Sequence, residues 1–244
     1  MNRALRVFAA GSLRQPFSVL LKTFTQRYGV ETEPTFGPAG LLCQQLMSGG
    51  VADLFASADC GHPLRLQSQG MTGKTARFAT NQLCIVMRND PALTGQDWLS
   101  TLLDSRFTLS TSTPGSDPGG DYAHQFFDRI ECLHPGKGNL LRSRAKPLLG
   151  AGLTSLLPAG TIASANLILT GQSDIHIGYA NYIPQMRRYP ELHIVKLAAP
   201  YAVTAEYMLA TLKPEQPEAV LLARYLLSET AQCCLAEYGF GMMM

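Results

Sequence analysis

The chain has 244 residues, of which 46% are apolar and only 16% charged, with a formal net charge of +2. This composition belongs to a globular protein with a sizeable core, and it excludes a disordered chain. The near-neutral balance, without any Lys/Arg run interleaved with aromatics, argues against a nucleic-acid partner. No stretch reaches the roughly 18 to 20 uninterrupted apolar residues needed to span a bilayer, so no membrane insertion is expected.

The elements follow in chain order. Leu5, Val7 and Ala9 give a short buried strand that stops at Gly11-Ser12. Leu13, Phe17, Leu20, Leu21, Phe24 and Tyr28 then recur at steps of three and four, which predicts a helix with Ser12 at its N-cap and Gly29 at its C-terminal stop. The plan repeats: VETEPTF reads as a strand, GPAG as a tight turn, LLCQQLMSGG as a helix and ADLFAS as a third strand. Strand, helix, strand, helix, strand predicts a parallel sheet with right-handed crossovers.

Further strands are expected at 82–87, 106–111, 174–179, 192–197 and 202–209, and helices at about 121–131, 161–171 and 215–238. The run STSTPGSDPGGDY reads as a loop that brings backbone N–H groups close to something before a helix. Gly11-Ser12, Gly37 to Gly40 and Gly119-Gly120 thus share one design. Each precedes a predicted helix, whose first N–H groups and dipole favour an anion. In an α/β sheet such ends lie at the carboxyl edge of the strands, where ligands bind.

The six cysteines, Cys43, Cys60, Cys84, Cys132, Cys233 and Cys234, form no CxxC pair and read as reduced core residues, which favours a reducing compartment. His62, His124, His134, His176 and Cys43 make no spaced metal or nucleophile motif, so neither a metal site nor a catalytic residue is expected. The opening MNRALRVFAAGSL has too short an apolar stretch for an export signal. A cytoplasmic protein is expected if Met1 is the native start, and a periplasmic one if a signal has been removed.

Together, VFAAGSLRQPFSVLLKTF, FGPAGLLCQQLMSGGVADLFASAD, DPGGDYA, IHIGYA and SETAQCCLAEYGF resemble the molybdate- and tungstate-binding proteins of ABC importers, over nearly the whole chain. The resemblance implies an α/β fold with two lobes, each a mixed sheet flanked by helices, and a ligand cleft between them (the type II periplasmic-binding-protein fold). Lobe I would hold 1–80 plus 201–244, and lobe II 81–200. It implies binding of a tetrahedral oxyanion by Ser12, the Ala39 backbone, Gly119, Thr161 and Tyr179, with Asp117 as an optional contact. Ala39 stands where the family has a second serine, and Pro38 beside it has no N–H. Asp117 resembles the carboxylate that contacts the metal in the tungstate-binding relatives, but their second acidic residue falls on Gly178 here.

The resemblance further implies a monomer without cofactor, working with an ABC permease. Two other functions fit the same residues: an intracellular oxyanion sensor or carrier, and an enzyme acting on a small organic anion. Read singly, Ser12 and Thr161 are helix caps, Tyr179 is packing, and Asp117 braces its turn.

Overall fold

The computed structural model describes residues 3–151 and 161–243. In chain order it contains β1 (Leu5–Ala10), α1 (Arg14–Tyr28), β2 (Thr32–Gly37), α2 (Ala39–Met47), β3 (Leu54–Ser57), α3 (Gly61–Ser68) and β4 (Thr72–Arg88). There follow α4 (Pro91–Thr94), α5 (Trp98–Leu103), β5 (Leu109–Ser112), α6 (Pro118–Leu133), α7 (Lys137–Arg144), β6 (Lys146–Leu149), α8 (Ala163–Leu169), β7 (Ile175–Tyr179), α9 (Ile183–Met186) and β8 (Leu192–Lys196). The chain closes with β9 (Thr204–Leu212), α10 (Pro217–Leu226), α11 (Glu229–Glu237) and β10 (Gly241–Met242).

These elements form two units. Unit 1 is the chain up to Asn81 and again from Ala205, and unit 2 runs from Gln82 to Thr204. In unit 1 the strand order is β2-β1-β3-β9-β4, with β10 beside β4. β1 is parallel to both β2 and β3, as the strand-helix alternation predicts, and β9 runs antiparallel to β3. In unit 2 the later part of β4 lies between β8 and β7, antiparallel to both, while β5 joins β7 and β6 in parallel.

The face predicted for α1 is the buried one: Phe17, Leu20, Leu21 and Phe24 are inside. Each such side chain contributes about 1.5–3 kcal/mol on burial. Gly29 ends the helix in the left-handed region at φ 67°. The core of unit 2 includes Cys84, Val86, Ala165, Ile168 and Met186.

Three expectations are corrected. The segment 215–238 is two helices, because the chain leaves the helical path at Leu227-Ser228 before α11 begins. Only Cys43 and Cys84 are fully buried; Cys60 and Cys234 are partly exposed, Cys132 and Cys233 lie at the surface, and all six are free thiols. Ser12 does not cap α1. It sits inside a 3-10 turn, Gly11–Leu13, which carries the chain into α1 with Leu13 at the N-cap and no side-chain cap.

Candidate functional site

In unit 1 the parallel register places Ala10 opposite Gly37, at the carboxyl ends of β1 and β2. Gly11 and Ser12 continue from one strand, Pro38 and Ala39 from the other, so two chain reversals into helix stand side by side. A Cβ added at Gly11 would come within 3.9 Å of the Gly37 carbonyl oxygen, which shows how near the two turns run. Pro38 is the N-cap of α2, and neither α1 nor α2 has a side-chain cap hydrogen bond. No side chain occupies the N–H groups at these starts, and the Arg14 N–H, the first of α1, donates to the Gly11 carbonyl oxygen.

Ser12 is only 8% exposed, and its hydroxyl lies 2.9 Å from the phenol of Tyr207 on β9. The Asn81 amide on β4 donates to the same phenol oxygen at 3.3 Å. Ala39 is buried at the first position of α2 and offers a methyl group and its backbone. At the end of β3, Asp59 accepts hydrogen bonds from Ser57 Oγ at 2.6 Å and from the His62 backbone N–H at 3.3 Å, with His62 Nδ1 also within 2.8 Å. Burial raises the Asp59 carboxyl, but these hydrogen bonds and the His62 charge outweigh it and hold the group below the ordinary carboxylate value.

In unit 2, Asp117 is the N-cap of α6 and its Oδ1 accepts from the Gly119 N–H at 3.0 Å. A Cβ at Gly119 would lie 3.2 Å from Ser112 Oγ and 3.4 Å from both Asp117 Oδ1 and the Tyr179 ring. The structure thus gathers Asp117, Gly119 and Tyr179, the last residue of β7, at one place. An anion approaching this N–H competes with a carboxylate that already holds it. Asp117 does brace its turn.

Thr161 is exposed and precedes Ile162, which is the N-cap of α8; Thr161 is therefore not the cap itself. Nearby, buried His176 faces Ser110 Oγ across 2.9 Å, and desolvation lowers its pKa to about 4, so the ring is neutral at pH 7. Among the described residues no group of three or more His, Cys, Asp or Glu side chains could hold a metal, and no helix is long and apolar enough to cross a membrane.

Tyr207 and Asn81 escaped the sequence reading. Asn81 left a trace, a polar residue just ahead of the apolar run 83–87, whereas Tyr207 is an ordinary aromatic in a strand pattern.

Two α/β units, one of them presenting uncapped helix starts at the edge of a parallel sheet, define a binding protein for small solutes. The chain belongs to the bacterial extracellular solute-binding protein family, whose model matches residues 5–241, and it is of the ABC-importer type. It is 37% identical over 213 residues to an uncharacterized protein of Pasteurella multocida, covering 86% of this chain and 88% of that one. It is 36% identical over 86 residues to the molybdate-binding protein ModA of Mycobacterium tuberculosis, covering 34% of this chain and 33% of that one. The fold matches the periplasmic molybdate-binding protein of Azotobacter vinelandii with a TM-score of 0.78 at 17% identity, over 98% of this chain and 100% of that one.

Proposed function

We propose that this chain binds a tetrahedral oxyanion, molybdate or tungstate before sulfate or phosphate, as the periplasmic solute-binding component of an ABC importer. The observation that carries the reading is the pair of uncapped turns into α1 and α2, issuing from the paired ends of β1 and β2 with the Ser12 hydroxyl between strand and helix. A buried dianion is very costly unless its oxygens are hydrogen-bonded. Backbone N–H groups at helix starts supply such bonds without a lysine or arginine, each worth about 1.5–3 kcal/mol when charge-assisted.

Within unit 1 the residues proposed for an anion are Ser12 and the backbone at Ala39; within unit 2 they are Gly119, Thr161 and Tyr179, with Asp117 as an optional contact. The stretch shared with the mycobacterial molybdate-binding protein supports the choice of ligand.

Thermal-shift titration with molybdate, tungstate, sulfate and phosphate tests this. A ligand at 100 times its dissociation constant adds about 2.7 kcal/mol of stability, so the first two anions are expected to raise the melting temperature by several degrees. If none of the four raises it, the oxyanion reading is wrong. The six free cysteines favour a second reading, an oxyanion carrier or sensor in a reducing compartment. Recovery of the native protein from the periplasm on cell fractionation would remove it.

A further inference from the structure

The run STSTPGSDPGGDY places several hydroxyls at the end of β5, and they differ in what they hold. Ser110 Oγ lies 3.2 Å from the Ile175 carbonyl oxygen and 2.9 Å from His176 Nδ1. Thr113 Oγ1 donates to the Leu149 carbonyl oxygen at 2.7 Å. Ser112 stands between them and is 8% exposed, yet among the described residues its hydroxyl has no hydrogen-bond partner. A hydroxyl buried in that state is costly unless a partner arrives.

The Ser112 oxygen is aimed at the start of α6. A Cβ built on Gly119 would lie 3.2 Å from Ser112 Oγ and 3.4 Å from both Asp117 Oδ1 and Tyr179 Cε2, so these three groups border one small space that glycine leaves open. The main chains are pressed together here, with a Cβ at Gly120 falling 2.5 Å from the Ser112 carbonyl oxygen. Ser112 is thereby held against the first turn of a 16-residue helix. The N–H groups of that turn are already engaged: Gly119 donates to Asp117 Oδ1 at 3.0 Å and Gly120 to the Asp117 carbonyl oxygen at 2.9 Å. An ionised carboxylate only accepts, whereas a serine hydroxyl turns about its bond and donates. Ser112 thus brings to this space a donor that none of the described residues has claimed.

We propose that Ser112 is a ligand-binding residue of unit 2, its hydroxyl donating to an oxygen of the bound oxyanion beside Gly119. This rests on the oxyanion reading above and deepens it. The positive end of the α6 dipole favours a negative oxygen at the same place, which offsets part of the repulsion from Asp117. A hydrogen bond to a charged oxygen is among the stronger ones, and at 8% exposure water competes weakly for the donor. The free chain should show the reverse side of this arrangement. A hydroxyl reserved for a ligand contributes nothing to folding.

Two measurements on the full chain and its Ser112→Ala variant test the proposal: calorimetric titration with molybdate, tungstate, sulfate and phosphate, and urea unfolding without anion. Affinity for whichever of the four binds wild type most tightly is expected to fall about tenfold in the variant. Stability without anion is expected to equal or exceed that of wild type, because an unpaired buried hydroxyl has been removed. Where wild type binds an anion and the variant binds it equally well, the role given to Ser112 is overturned while the oxyanion reading stands. A variant that unfolds in clearly less urea, or does not fold, also overturns it, since the hydroxyl would then have its partner within the fold. If wild type binds none of the four anions, the oxyanion reading fails and the role given to Ser112 fails with it.

Discussion

Replacing the Ala39 methyl by a hydroxymethyl group tests the site at a single atom. The residue is buried at the first turn of α2, level with Ser12 relative to the paired strand ends. Without ligand, an added hydroxyl loses water and gains little, so Ala39→Ser is expected to leave stability unchanged or slightly lower in urea titration. With molybdate it adds a charge-assisted donor, and affinity measured by calorimetry is expected to rise about tenfold. An unchanged affinity would place Ala39 away from the ligand. At this scale the sequence was informative about junctions and silent about partners. Gly11-Ser12 marks the end of a strand in any reading, but the bond from Ser12 to Tyr207 joins residues 195 positions apart, and no local pattern encodes it.

Among the elements, α6 is tightly seated at its start. A Cβ at Gly120 would lie 2.5 Å from both the Ser112 carbonyl oxygen and the Pro114 nitrogen, which are backbone atoms and cannot swing aside. Gly120→Ala is therefore expected to cost about 1–3 kcal/mol in urea unfolding, although alanine favours a helix elsewhere. A stability equal to wild type would mean that the loop from β5 yields. The elements legible in the sequence were those with strong periodicity, apolar runs or sharp turn signals: β1 to β3, α1, α2, most of α6, α8 and β7 to β9. β4 was seen only at 82–87, because its first half is largely exposed or half-buried and includes Lys74 and Arg77, which hides it from a search for apolar runs. α3 and α7, of eight residues each, present too few turns for a period to emerge.

For the whole molecule, acid is the condition to which the buried groups are tuned. His176 titrates at about 4 in the folded chain against an ordinary 6.5, so the unfolded chain binds its proton first as pH falls. The stability associated with the neutral ring is complete above pH 6.5 and is lost progressively toward pH 4, on the order of 3 kcal/mol in all. Asp59, whose carboxyl is held below its ordinary value, acts in the same direction at lower pH. Melting temperature is expected to drop between pH 6.5 and 4, and His176→Gln is expected to flatten that drop; an equally steep fall in the variant would acquit the histidine. The class of fold was legible at this scale, since alternating strands and helices dictate a parallel α/β sheet. The interruption of unit 1 by unit 2 has a temporal side as well. β9 lies between β3 and β4 in the sheet of unit 1, yet it is made only after all of unit 2. On the ribosome, unit 2 can finish folding while the first 81 residues still lack the strand that completes their sheet and brings Tyr207 to Ser12. Completion of the sheet of unit 1 therefore waits on a segment made after unit 2.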